Sequence, residues 1–108
     1  MPFSVRLTEN ARVDLRGIGD YLSQNDSPLA ARRVLDQIVA LIEGLAEFPE
    51  RGAPLRDISG SNLSDYRSLT VRPYRIVYRV TEGTVVVHLI ADGRRDMRTL
   101  LLHRLLQE

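Results

Sequence analysis

A β-hairpin that empties into a run of arginines constrains this chain more than any other feature. Tyr74-Arg75-Ile76-Val77-Tyr78-Arg79-Val80 alternates with period two, and Val85-Val86-Val87-His88-Leu89-Ile90-Ala91 is almost wholly β-branched or apolar. Thr81-Glu82-Gly83-Thr84 links them, with Glu-Gly at the turn, so the pair reads as two antiparallel strands. The second strand ends in Asp92-Gly93-Arg94-Arg95-Asp96. Several cations leaving one buried strand direct attention to an anionic or acidic partner.

The rest of the chain supplies layers for that hairpin to pack in. Phe3-Ser4-Val5-Arg6-Leu7 alternates as a short strand. Thr8 is placed to cap a helix, with Glu9 in its first turn where the helix dipole favours negative charge. Ala11, Leu15, Ile18 and Leu22 recur at helical spacing. Ser27-Pro28 pairs a cap with a proline at the first helical position. Ala31, Val34, Leu35, Ile38, Leu41, Ile42 and Leu45 form the stripe of this second helix, which Phe48-Pro49 is expected to end. So short a connection makes the two helices an antiparallel hairpin.

Glu50 to Asp65, rich in glycine, proline and serine, reads as a long surface loop. Tyr66–Val71 reads as a strand, and Arg72-Pro73 as the turn into the hairpin. After Gly93, Met97, Leu100, Leu101, Leu105 and Leu106 mark a C-terminal helix, with Leu102 off the stripe. The order is β-α-α-β-β-β-α, an α+β fold. Its last three strands form an antiparallel meander, and the helical hairpin covers one face. All 108 residues fit one domain.

Several chemistries are excluded or find no support. Cysteine is absent, which removes disulfides, thiol nucleophiles and thiolate metal sites. All fifteen cations are arginine, so no catalytic lysine exists. The two histidines, His88 and His103, lack neighbouring carboxylates at ligand spacing, and no metal or cofactor is expected. The serines have no nucleophile-elbow setting, and the glycines form no phosphate-cradling loop. Neither a signal-peptide core nor a run of about 18 apolar residues occurs, so a cytoplasmic location away from membranes is expected.

The arginines remain. Residues 1–50 carry five Arg against eight acids, and residues 51–108 carry ten Arg against six acids, so positive charge gathers with the strands. Alternation puts Arg67 on one face with Leu69 and Val71, and Arg75 on one with Val77 and Arg79. Arg94 and Arg95 leave the last strand. Taken as a set, these groups are expected to converge on one docking surface. Such a surface could stabilise the pentacovalent phosphate of RNA cleavage, or clamp an acidic peptide. Each arginine singly could equally be a solvated charge paired with Asp65, Asp92 or Asp96.

These residues resemble the ParE/RelE superfamily of small toxins from bacterial toxin–antitoxin operons. Tyr74-Arg75-Ile76-Val77-Tyr78 is similar to the family's Y-R-hydrophobic-hydrophobic-Y strand, and Gly93-Arg94-Arg95-Asp96 to its G-R-R-D turn. Arg51-Gly52-Ala53-Pro54-Leu55 resembles the G-x-x-V-P-E-L loop of the ParE branch, without its Glu. The resemblance implies a compact toxin neutralised by a ribbon-helix-helix, ParD-like antitoxin. It also implies one of two targets. The RelE-like branch cuts messenger RNA on the ribosome. There Arg67, Arg75 and Arg95 match catalytic or phosphate-binding cations. The branch's second strand lysine and C-terminal aromatic have no counterpart here, His103 being the only stand-in, and Asp92 replaces the His often found before G-R-R.

The ParE-like branch inhibits DNA gyrase by protein–protein contact and is not known as a nuclease. It is the branch the residues fit better, with plasmid stabilisation as the associated role and no sequence-specific DNA binding of its own. Arg94, Arg95, Leu101 and Leu105 are the expected target-facing residues, with Arg75 beside them. Leu15, Leu22, Leu35 and Ile42 flank the groove expected to receive the antitoxin, although core packing is the commoner role for such leucines. A decayed, non-toxic antitoxin-binding module is the third reading.

Overall fold

The computed structural model describes residues 2–55 and 65–108. Its elements are β1 (Ser4–Leu7), α1 (Glu9–Asn25), α2 (Pro28–Gly44), β2 (Ala53–Pro54), β3 (Tyr66–Val71), β4 (Tyr74–Thr81), β5 (Thr84–Asp92) and α3 (Met97–Gln107). The expected order holds, with one addition. The segment read as a loop from Glu50 to Asp65 carries the two-residue strand β2, and its centre, with Ser59, Gly60, Ser61 and Ser64, lies outside the described residues.

The strands form one mixed sheet in the order β1-β5-β4-β3-β2. β3, β4 and β5 are the antiparallel meander read from the sequence, while β1 pairs parallel to β5. The turn between β4 and β5 places both Glu82 (φ 46°) and Gly83 (φ 79°) in the left-handed region. A two-residue hairpin link needs that backbone so that its twist matches the strands.

Local signals account for the helix starts. The Thr8 hydroxyl accepts from the Ala11 N–H at 3.1 Å, and the Ser27 hydroxyl from the Ala30 N–H at 3.0 Å. Asp96 caps α3, accepting from the Thr99 N–H at 3.2 Å and from its hydroxyl at 2.7 Å. The Thr99 hydroxyl bond is the largest of several that lower the Asp96 carboxyl below its usual range. α2 stops at Gly44, before Phe48-Pro49. Leu45 is fully buried at its end, and tight turns carry the chain out to Phe48, whose side chain is exposed.

The sheet lies between two apolar layers. On one face α1 and α2 cover Ile76, Tyr78, Val85, Val87 and Ile90 with Ala11, Ile38, Ile42 and Leu45. On the other, α3 lays Met97 and Leu101 over Leu55, Tyr66, Val77, Leu89 and Ala91, with Leu100 and Leu105 at the margin. The C-terminal helix therefore packs home on the face away from the helical hairpin. Leu106 does not belong to its inward stripe: it is 85% exposed. At 3.6 residues per turn it sits about 140° around the helix from Leu101, whereas Leu105 returns to within about 40°.

A bulge makes this double use of β5 possible. Register passes from Tyr78↔Val87 to Val77↔Leu89, so His88 is an extra residue in β5. Simple alternation would put Val85, Val87, Leu89 and Ala91 on one side. The added residue shifts the phase, sending Val85 and Val87 to the helical hairpin and Leu89 and Ala91 to α3.

Tyr78 also anchors the segment that leads into β2. Its buried hydroxyl accepts from the Gly52 N–H at 2.8 Å. A Cβ on Gly52 would fall 2.7 Å from that hydroxyl and 2.8 Å from the Ser68 carbonyl oxygen, which is why glycine stands there. Tyr78→Phe should lower the unfolding free energy by about 1–3 kcal/mol, the cost of leaving a buried N–H without an acceptor. A urea titration with an unchanged m-value measures it.

Candidate functional site

The arginines do not all converge on one surface: Arg94 and Arg95 share a groove and Arg75 packs against the turn that carries them, but Arg67 stands apart. Arg67 pairs in register with Tyr78, and Arg75 with Thr70 and Ala91. Tyr78 belongs to the layer under α1 and α2, whereas Ala91 belongs to the layer under α3. Arg67 and Arg75 thus stand on opposite faces of the sheet, because one residue of register inverts the face. Arg67 spends its guanidinium on the carbonyls of Gly52 (2.7 Å) and Glu50 (3.2 Å), holding the entry to β2. Arg75 donates to the Ser68 hydroxyl at 3.0 Å, and its stem lies against Gly93, where a Cβ would come within 2.9 Å of it. Arg79 sits 5.7 Å over the Tyr66 ring.

The leucines expected to meet partners are largely interior. Leu101 is fully buried, so in this conformation it serves the core under α3 and not a contact. Leu105 is half-buried beside it. Ile42 is 4% exposed, Leu15 packs against the core under the two helices, and Leu35 is half-buried. Leu35 presses so closely on α1 that a Cβ on Gly19 would fall 2.9 Å from its Cδ1. Leu22 alone of these four lines the groove described next.

That groove, about 640 Å³, runs between α1, the end of β5 and the start of α3. Ile18, Leu22, Ile90 and Leu100 form its floor, and Val13, Gly17 and Tyr21 form one rim at four-residue spacing. Val13 and Tyr21 are 50% and 62% exposed, large apolar surfaces facing solvent. The other rim carries Arg94 and Arg95, together with Tyr74 and Asp92. Arg94 folds back onto Asp92: its Nε and Nη2 donate to the two carboxylate oxygens at 3.0 and 2.6 Å, and its backbone N–H donates at 2.9 Å. Those bonds pull the Asp92 carboxyl down to about 2. Burial, helped by the charge of Asp92, pushes the neighbouring Tyr74 hydroxyl up.

At the inner end of the groove lies a contact that sequence reasoning missed. Asp14 of α1 and Arg104 of α3 form a two-pronged ion pair at 2.8 and 2.9 Å, each side chain about one-sixth exposed. The same groups close the edge of β5. β1 covers that edge only as far as Thr8, whose N–H donates to the Val87 carbonyl. Beyond it, Asp14 accepts from the Ile90 N–H at 3.0 Å, and Arg104 donates to the His88 carbonyl at 2.7 Å. A signal was present in the sequence: Asp14 is three residues from Ala11, and Arg104 three from Leu101, so both charges flank core-facing stripes. Next to them His88 Nδ1 lies 2.7 Å from Glu108 Oε1, tying the end of α3 to the bulge. Among the described residues no three metal-ligating side chains gather, and no helix is long and apolar enough to cross a membrane.

The comparisons with known proteins agree with this architecture. Residues 5–97 match the family described as the ParE toxin of the type II toxin–antitoxin system, parDE. Toxin RelE2 of Caulobacter vibrioides is 38% identical over 92 residues, spanning 82% of this chain and 92% of that protein. The fold is shared with the chromosomal ParDE toxin–antitoxin system of P. aeruginosa, at a TM-score of 0.68 and 24% identity over 83% of this chain and 95% of that one. It is shared also with the toxin–antitoxin complex RelBE2 of Mycobacterium tuberculosis, at a TM-score of 0.63 and 29% identity over 85% and 99%.

The Asp14–Arg104 contact is open to a direct energetic test. A double-mutant cycle with Asp14→Ala and Arg104→Ala should return a coupling of about 2 kcal/mol, in the range of hydrogen bonds to charged groups. A coupling near zero in urea unfolding would show that the pair is decorative.

Proposed function

Because the chain belongs to the ParE toxin family of type II toxin–antitoxin systems, we propose that it arrests growth by binding DNA gyrase, and that a cognate antitoxin neutralises it. One observation carries the choice of target. Arg67 and Arg75, the strand cations that an RNA-cutting site would combine with Arg95, are separated by the sheet. Guanidiniums dispersed in this way support a protein-contact surface over a reactive cluster, since cleavage needs charge stabilisation and proton transfer at one phosphate. His103 lies exposed on α3.

On this reading the exposed pair Arg94 and Arg95, with Leu105 and the outer face of α3 beyond it, meets gyrase in the cytoplasm. Arg75 supports the turn from beneath through its packing on Gly93. The antitoxin, of the ParD-like ribbon-helix-helix kind, lies along the helical hairpin and reaches the groove at Leu22, with Val13 and Tyr21 as the exposed apolar contacts.

Purified protein should inhibit supercoiling of relaxed plasmid by gyrase and leave ribosome-bound messenger RNA intact. Arg94→Ala combined with Arg95→Ala should raise the inhibitory concentration at least about tenfold, as loss of central charged contacts does at interfaces. Messenger RNA cut while supercoiling proceeds would transfer the assignment to the ribonuclease reading. Induced expression without growth arrest would leave a non-toxic antitoxin binder.

A further inference from the structure

The groove is lined by five charged groups: Asp14 and Asp92, and Arg94, Arg95 and Arg104. Both carboxylates are already engaged from within the chain, Asp14 by Arg104 and Asp92 by Arg94. The two pairs differ in kind. Asp14 and Arg104 are mostly buried and also complete the β5 edge, so their partners are fixed by the fold. The Arg94 side chain is 82% exposed, and its partner lies only two residues away. Its fork therefore faces solvent while holding a carboxylate in the two-point geometry that guanidinium favours. Arg95 beside it has no carboxylate partner among the described residues.

We propose that Asp92 is an internal stand-in for a partner's carboxylate, and that the groove takes a peptide segment carrying acidic and apolar side chains. The apolar side chains would lie on Val13, Tyr21 and Leu100. An incoming Glu or Asp would displace Asp92 from Arg94, and Arg95 would take a second. The intramolecular pair therefore weakens docking: the partner carboxylate that takes Arg94 competes with one tethered in place. An acidic peptide fits better than a nucleic acid because most of the groove's accessible surface is apolar and its rim keeps one cation beyond its paired charges. The inference deepens the antitoxin reading by giving the groove a ligand chemistry. It concerns the binding of a defined peptide and does not depend on which target the toxin inhibits.

The test is fluorescence anisotropy with a short labelled peptide of alternating leucine and glutamate, and a control peptide with glutamine in place of glutamate. Asp92→Asn should tighten the glutamate peptide about threefold, the scale of an exposed ion pair, and leave the glutamine peptide unchanged. In an Arg94→Gln background the same substitution should have no effect. Thermal unfolding of each variant checks that the fold is retained. The proposal is overturned if Asp92→Asn fails to tighten the glutamate peptide, if both peptides gain equally, or if neither binds. A short single-stranded RNA that gains as much as the peptide would assign the fork to phosphate and overturn it too. Gyrase inhibition that persists through any of these outcomes separates failure here from failure of the toxin reading.

Discussion

The edge of β5 is the constraint around which the molecule is arranged. β5 is longer than β1, so its outer edge continues past the point where its parallel partner turns into α1. A buried backbone N–H or carbonyl without a partner costs about 1–3 kcal/mol. Asp14 and Arg104 meet that demand from two helices on opposite sides of the sheet. A mostly buried ion pair is by itself close to neutral, because desolvation offsets attraction. Its stabilising value here comes from the two backbone groups it satisfies. The pair thereby bolts the layer of α1 and α2 to the layer of α3 through the edge of the sheet.

That bolt also shapes the surface. By holding α3 against β5 and α1 alongside it, the pair leaves a trough whose floor is apolar and whose open end is the Gly93-Arg94-Arg95 turn. Arg67 braces β2, Arg75 braces the turn, Arg94 is held by its neighbour, and the buried tyrosine Tyr78 serves a backbone N–H.

Much of this was legible in the residues. Thr8, Ser27-Pro28 and the Glu82-Gly83 turn were readable because each depends only on nearby backbone, and the inward stripes of α1 and α2 were readable from period alone. The motifs at Tyr74–Tyr78 and Gly93–Asp96 pointed to the family that the comparisons then gave. The bulge at His88 was not readable: a strand apolar on both faces carries no phase, so nothing marks where the phase slips. The same blindness led to the expectation of converging arginines, since which face each occupies depends on register across β3, β4 and β5. Leu106 was read as part of the apolar stripe of α3 with Leu101 and Leu105, where its position around the helix turns it outward. The Asp14–Arg104 pair spans 90 residues, and only the fold brings its halves together.

Hydrogen exchange at the Ile90 amide tests the sealing role of that pair most directly. In the wild-type protein this amide should exchange only through global unfolding, together with the amides of β4. In Asp14→Ala it should exchange faster than they do, through local opening of the edge. If Ile90 keeps its full protection in the variant, the edge is closed by something else and the organisation described above is wrong.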